Sequence, residues 1–155
     1  MRQTLQAISR EIRTGAHSEV SLLLAGDQFI RQLNLEYRGK DSATDVLSFP
    51  QYDLAPPDSQ ELAAGGPGAG VDFTGILGDI VISIETAARQ AEAASWPLES
   101  EMALLGSHGL LHLVGYDDES EDGAVEMERL SRFALMKASI ALPSGDHPFF
   151  ARFAP

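Results

Sequence analysis

Cysteine is absent from the 155 residues. A disulfide scaffold and thiolate-ligated zinc are therefore excluded, and any bound metal must draw on imidazole and carboxylate. Long apolar runs are missing too. The longest, such as Leu22-Leu23-Leu24-Ala25, fall far short of the roughly 20 residues that span a bilayer. No apolar h-region follows Met1-Arg2-Gln3-Thr4, so no secretory signal is expected and the chain reads as cytoplasmic. Positive charge is scarce: 11 Lys and Arg against 23 Asp and Glu leave a formal net charge of −12. That argues against extensive tracking along a nucleic-acid backbone, although it leaves room for a local basic site. Such a site is offered by Arg31, Arg38 and Lys40, whereas residues 117–128 hold seven acids and no base. The acids suit the solvated start of a helix. With 44% hydrophobic residues and no visible repeat, the chain reads as a single globular domain over 1–155.

Apolar periodicity and local breakers give the element order. Residues 2–15 predict an amphipathic helix with Leu5, Ile8 and Ile12 on one face and Gly15 past its end. Glu19–Ala25 predicts a strand. Asp27 is expected to cap a helix carrying Phe29, Ile30, Leu33 and Tyr37, which Gly39 ends. After the polar loop Asp41–Asp45, Val46–Tyr52 predicts a strand whose Pro50 demands an edge or a bulge. Residues 54–74 carry three prolines and four glycines with few apolar residues and read as a variable insertion loop. Ile76–Ser83 predicts a strand antiparallel to the preceding one. Ser83 then caps a helix over 84–95, Pro97 opens another that runs to about Val114 and stops at Gly115, and a last helix spans about 120–139. Val125, Met127, Leu130, Phe133, Ala134 and Leu135 are its core candidates, and a tail follows from Pro143. The order α-β-α-β-β-α-α-α predicts an α+β fold, a small mixed sheet covered by helices.

The chemistry concentrates in Ser107–Asp118, S-H-G-L-L-H-L-V-G-Y-D-D. His108 and His112 stand four apart, which on a helix places them on one face, where two imidazoles can converge on one ion. Gly115 turns the chain back and can bring in a third ligand, and Asp118 lies six residues after His112. Two ligands on a helix and one past a glycine turn leave a fourth position open, as in catalytic zinc sites. Two of the chain's four His fall here, among Leu104, Leu105, Leu111 and Leu113; His17 and His147 receive no role. Gly109 inside the helix costs about 1 kcal/mol relative to Ala and so asks for a packing or access reason. It also occupies the position where metalloproteases carry the Glu that acts as general base. The layout resembles that of a metzincin without its base, which weakens a peptidase reading.

Three ordered blocks extend the comparison: Leu33–Pro50 (LNLEYRGKDSATDVLSFP), Leu77–Ser83 (LGDIVIS) and His108–Asp118 (HGLLHLVGYDD). Together they resemble the YbeY family, single-domain bacterial endoribonucleases of ribosomal RNA maturation. The resemblance implies a zinc site of three His, the last directly after Gly-Tyr-Asp. That position is Asp118 here, a competent oxygen ligand that adds negative charge, lowers the Lewis acidity of the ion and leans metal choice toward manganese. Zinc remains the expected ion, with Asp117 as the competing third ligand. The family also implies an arginine in the YRGKD block that binds RNA phosphate, which maps onto Arg38; a guanidinium near a metal can clamp a phosphoryl oxygen. Thr44 and Asp45 are either turn-holding or substrate-facing, Phe49 is expected in the core, and Asp79 is either a structural carboxylate or part of a bulge beside the cleft.

These readings converge on metal-dependent cleavage of single-stranded RNA, with Arg38, His108 and His112 as catalytic residues and His108, His112 and Asp118 as ligands. The implied partners are rRNA precursors, ribosomal proteins and a ribosome-associated GTPase, and the chain is expected to be a monomer. Two other classes stand beside this one. A zincin-like hydrolase is disfavoured by Gly109, and a non-catalytic ribosome-associated factor would use the metal only to fix its fold and the strong acidity to bind basic proteins.

Overall fold

The computed structural model describes residues 1–11, 18–53, 75–143 and 147–151. The elements are α1 (Arg2–Glu11), β1 (Ser18–Ala25), α2 (Asp27–Arg38), β2 (Val46–Pro50), β3 (Gly75–Ser83), α3 (Ile84–Ala93), α4 (Leu98–Leu113), α5 (Glu121–Lys137) and a single turn, α6 (Pro148–Ala151). The order is the expected one with α6 added inside the tail. The insertion loop 54–74 and residues 12–15 of the first expected helix lie outside the described residues.

The three strands form one mixed sheet in the order β1-β3-β2. β1 runs parallel to β3 and β2 antiparallel to it. Pro50 ends β2, which lies at the sheet edge, where its missing N–H breaks no inner ladder. The β1–β3 register slips between Glu19 and Val20, opposite Leu77. Gly78 follows with φ 149°, and a Cβ there would stand 2.2 Å from the Phe49 carbonyl oxygen, so only glycine lets β2 approach this closely. Asp79 comes one residue after the irregularity and is exposed.

α4 is the central helix. Leu104, Leu105, Leu110, Leu111 and Leu113 are all buried, and it packs on β2 and β3 on one side and on α1, α3 and α5 on others. A helix apolar on most of its circumference belongs inside a domain, and each fully buried Leu contributes roughly 1.5–3 kcal/mol. The α5 side adds Met127, Leu130, Ala134 and Leu135. Val125 is a correction: it is 51% exposed, because it falls one residue off the stripe that faces α4. Phe133 is only partly buried, with the Lys137 ammonium 5.2 Å from its ring centroid. On the far face of the sheet, Ile30, Leu47 and Val81 form a smaller cluster under α2, with Phe49 packed at its border and edge-on to Tyr37 at 5.0 Å.

Capping follows the expected logic with one exception. Ser83 accepts from the Thr86 N–H and Ser120 from the Gly123 N–H, each satisfying a first-turn donor. Gly39, at φ 68°, ends α2. Gly26, not Asp27, is the N-cap of α2. The Asp27 carboxylate instead accepts from the hydroxyls of Ser83 and Thr86 and pairs with Arg89 at 2.8 Å, tying α2 to α3.

Candidate metal centre

The i,i+4 spacing on α4 brings the imidazoles of His108 and His112 to one edge of the central helix, with their Nε2 atoms 3.0 Å apart and their rings at 82°. α4 ends one residue later, and Gly115, at φ 93°, reverses the chain, its N–H bonding the His112 carbonyl. The reversal brings the Tyr116 carbonyl to 3.0 Å from His112 Nδ1. A carbonyl oxygen only accepts, so Nδ1 carries the proton and Nε2 turns its lone pair toward His108. The same turn carries Asp118 inward until its Oδ1 is 4.0 Å from His112 Nε2. His112 and Asp118 are each about a third exposed, at 30% and 31%.

One ligand atom from each of His108, His112 and Asp118 lies within 4.8 Å of the others. The arrangement fits a metal ion. Zn–N and Zn–O bonds are about 2.0–2.2 Å, which in a tetrahedron puts ligand atoms roughly 3.3–3.6 Å apart, inside the span observed. Imidazole lone pairs and a carboxylate facing one point repel one another unless a cation lies between them. The carbonyl behind His112 is the outer-shell partner that ligating imidazoles normally have. Asp117, the competing third ligand, is exposed and accepts from the Glu119 N–H at 3.1 Å in a local turn.

The group opens into a cleft of about 700 Å³ between α4, the 116–119 turn and β2. Arg38 and Lys40 line the same cleft. They arrive there because α2 ends at Gly39 and the following loop is pinned: buried Asn34 donates to the Ser42 carbonyl at 2.8 Å, and Lys40 N–H bonds the Asn34 carbonyl. Thr44 and Asp45 also line it, but the Asp45 carboxylate is occupied. Oδ1 accepts from the Val46 N–H and the Thr44 hydroxyl, Oδ2 from the Gln90 amide, so the pair holds the turn into β2.

Gly109 has a packing reason. A Cβ there would be 2.8 Å from Ile80 Cγ2 and 3.1 Å from Ser48 Oγ, and the Ser48 hydroxyl donates to the Gly109 carbonyl at 3.1 Å. The helix lies directly on the sheet at this residue, so the position filled by a catalytic Glu in metalloproteases points into the core.

One residue that the sequence analysis left without a role also reaches the cleft. Phe149 sets its ring edge-to-face against His108, with centroids 4.9 Å apart. His147, likewise unassigned, is buried with its Nε2 2.6 Å from Glu101 Oε2, and Glu101 is buried as well. Glu101 stands in the first turn of α4 and its partner is 46 residues away, so no local pattern joins them.

Comparison with known proteins agrees with the three sequence blocks. The family described as Endoribonuclease YbeY matches residues 1–139. Among curated proteins named Endoribonuclease YbeY, one from Moorella thermoacetica is 42% identical over 83% of this chain and 78% of its own length. One from Rhizobium meliloti is 39% identical over 84% and 70%. One from Syntrophomonas wolfei is 34% identical over 86% and 81%. A solution structure from Thermotoga maritima superposes with a TM-score of 0.51 at 22% identity, covering 93% of this chain and 87% of that one, and shares the fold. With the profile spanning most of its length and the relatives this similar, the chain belongs to the YbeY endoribonuclease family.

Proposed function

We propose that this chain is a metal-dependent, single-strand-specific endoribonuclease acting in rRNA processing and ribosome maturation. The observation that carries this reading is the sharing of one cleft by the His108–His112–Asp118 group and Arg38. Zinc is the ion proposed, held by those three side chains. When bound it supplies Lewis acidity, polarising a phosphoryl oxygen and lowering the pKa of water.

The chain's own residues do the rest. Arg38 binds the scissile phosphate through its planar guanidinium and stabilises charge that grows on it. Lys40 adds a second cation at the same rim. The Tyr116 carbonyl keeps His112 in the tautomer that presents Nε2. Asp117 and Glu119 are exposed carboxylates of the same cleft outside the ligand group, and either can accept a proton from the attacking hydroxyl or water. Gly109 against Ile80 leaves no place for a peptidase base. Among the described residues no helix is long and apolar enough to cross a membrane; the chain is proposed to work in the cytoplasm as a monomer. The acid-rich 117–128 segment suits basic ribosomal proteins, and a ribosome-associated GTPase completes the proposed partners.

The test combines elemental analysis with cleavage of a single-stranded RNA. Wild-type protein is expected to hold about one zinc per chain and to cleave, while His112→Ala loses both. Undiminished cleavage by His112→Ala refutes the assignment.

A further inference from the structure

We propose that Phe149 is a substrate-binding residue whose ring stacks on a nucleobase of single-stranded RNA beside the metal group, and that the buried Glu101–His147 pair is the anchor that holds it there. The inference rests on the nuclease reading above and adds a base-recognition element to the same cleft.

Among the described residues lining the cleft, Phe149 is the only Phe, Tyr or Trp; its companions are cations, carboxylates, hydroxyls, imidazoles and a few aliphatic side chains. Its ring is only partly buried. Two edge-to-face contacts fix the ring plane, with His108 at 86° and with Phe150 at 87° and 5.2 Å. This immobilised π-face, in contact with His108, lines the same cleft as Arg38. Phosphate contacts position a strand without reading it, whereas an aromatic face takes an unstacked base of any identity. A base locked inside a duplex offers no such face, so the same ring favours single strands.

The segment is anchored directionally. His147 Nδ1 accepts from the Phe149 N–H at 3.2 Å; its proton is therefore on Nε2, which donates to Glu101 at 2.6 Å. Trp96 and Phe150 flank the His147 ring, each at 5.4 Å, and Arg132 lies 4.2 Å over the Phe150 ring. Apolar packing alone would bury this turn equally well. A buried carboxylate–imidazole pair instead specifies one orientation, because either group misplaced is left without its partner. The family match stops at residue 139, so it includes Glu101 but neither His147 nor Phe149.

The experiment measures KM and kcat of the zinc-loaded full chain on a short single-stranded RNA and on the same RNA made abasic at the nucleotides flanking the cut. Zinc content is read alongside. Phe149→Leu keeps the apolar packing without a π-face, and Phe149→Trp keeps the π-face. Stacking predicts that Leu raises KM about tenfold or more on intact RNA with zinc content unchanged. It predicts that Trp stays near wild type and that all three proteins converge on the abasic substrate. A purely structural role predicts Leu equal to Trp, or zinc lost in step with activity; either result overturns the proposal. If wild-type protein cleaves neither RNA, the nuclease reading itself fails. Cleavage by wild type with an unchanged KM in Phe149→Leu removes the stacking role alone.

Discussion

Gly109→Ala adds one methyl group to the buried side of α4, next to His108. Its Cβ would meet Ile80 Cγ2 at 2.8 Å, Ser48 Oγ at 3.1 Å and Ile80 Cδ1 at 3.3 Å. Carbon atoms pack best near 3.5–4.0 Å. Ile80 cannot retreat: it is fully buried on the central strand, and its Cγ2 hangs directly from Cβ. Overpacking of this kind costs about 1–3 kcal/mol. Loosening the Ser48–Gly109 hydrogen bond costs about 1 kcal/mol more, while Ala restores about 1 kcal/mol of helix propensity. The net expectation is a destabilisation of about 1–3 kcal/mol, read from urea unfolding monitored at Trp96. Because α4 must lift from the sheet beside His108, zinc affinity measured by competition with a chromogenic chelator should fall as well. Helix propensity alone predicts the opposite sign, a gain of about 1 kcal/mol. A variant at least as stable as wild type, with unchanged zinc affinity, refutes the packing explanation for Gly109.

Arg38→Ala should raise KM for RNA and flatten its dependence on salt, the slope of log affinity against log salt falling by about 0.7 for one lost phosphate contact on a single strand. Zinc content should stay unchanged. His147→Ala leaves the Glu101 carboxylate buried without its partner and should destabilise the fold by about 3–5 kcal/mol in denaturant titration; a loss under 1 kcal/mol would mean that the segment is not anchored by the pair. Asp27 has its pKa lowered from 3.8 to about 2, first by the Ser83 hydroxyl, then by Thr86 and Arg89. Its folded value lies below its unfolded one, so its contribution to stability is complete above about pH 4 and disappears as pH falls toward 2. The stability gap between wild type and Asp27→Asn should therefore narrow across that window; a gap that stays constant from pH 6 to pH 2 would refute the linkage.

Local chemistry made much of this protein legible in its sequence. The i,i+4 pair needs only a helix to converge, and α4 is helical because its apolar residues crowd the whole stretch between Pro97 and Gly115. Pro50 forecast an edge strand from its missing donor, and Gly39 and Gly115 marked reversals that their positive φ values confirm. Asp27 misled, because its carboxylate bonds Ser83, Thr86 and Arg89 across to α3 rather than its own helix. Val125 misled because a broad apolar reading of α5 could not say which stripe meets α4. That Asp118 rather than Asp117 lies beside the imidazoles depends on the exact sweep of the 115–118 reversal, and the standing of Thr44 and Asp45 on a glutamine 45 residues away. The reason for Gly109 is Ile80, and the occupant of the space over His108 is Phe149, held by a pair 46 residues apart. The sequence by itself determined most of the elements and the imidazole pair, because backbone geometry and side-chain period act over a few residues. Which carboxylate joins the pair, what forbids a side chain at Gly109 and what walls the cleft were decided only by the tertiary structure, because those contacts exist only after the sheet, α4 and the C-terminal turn have packed.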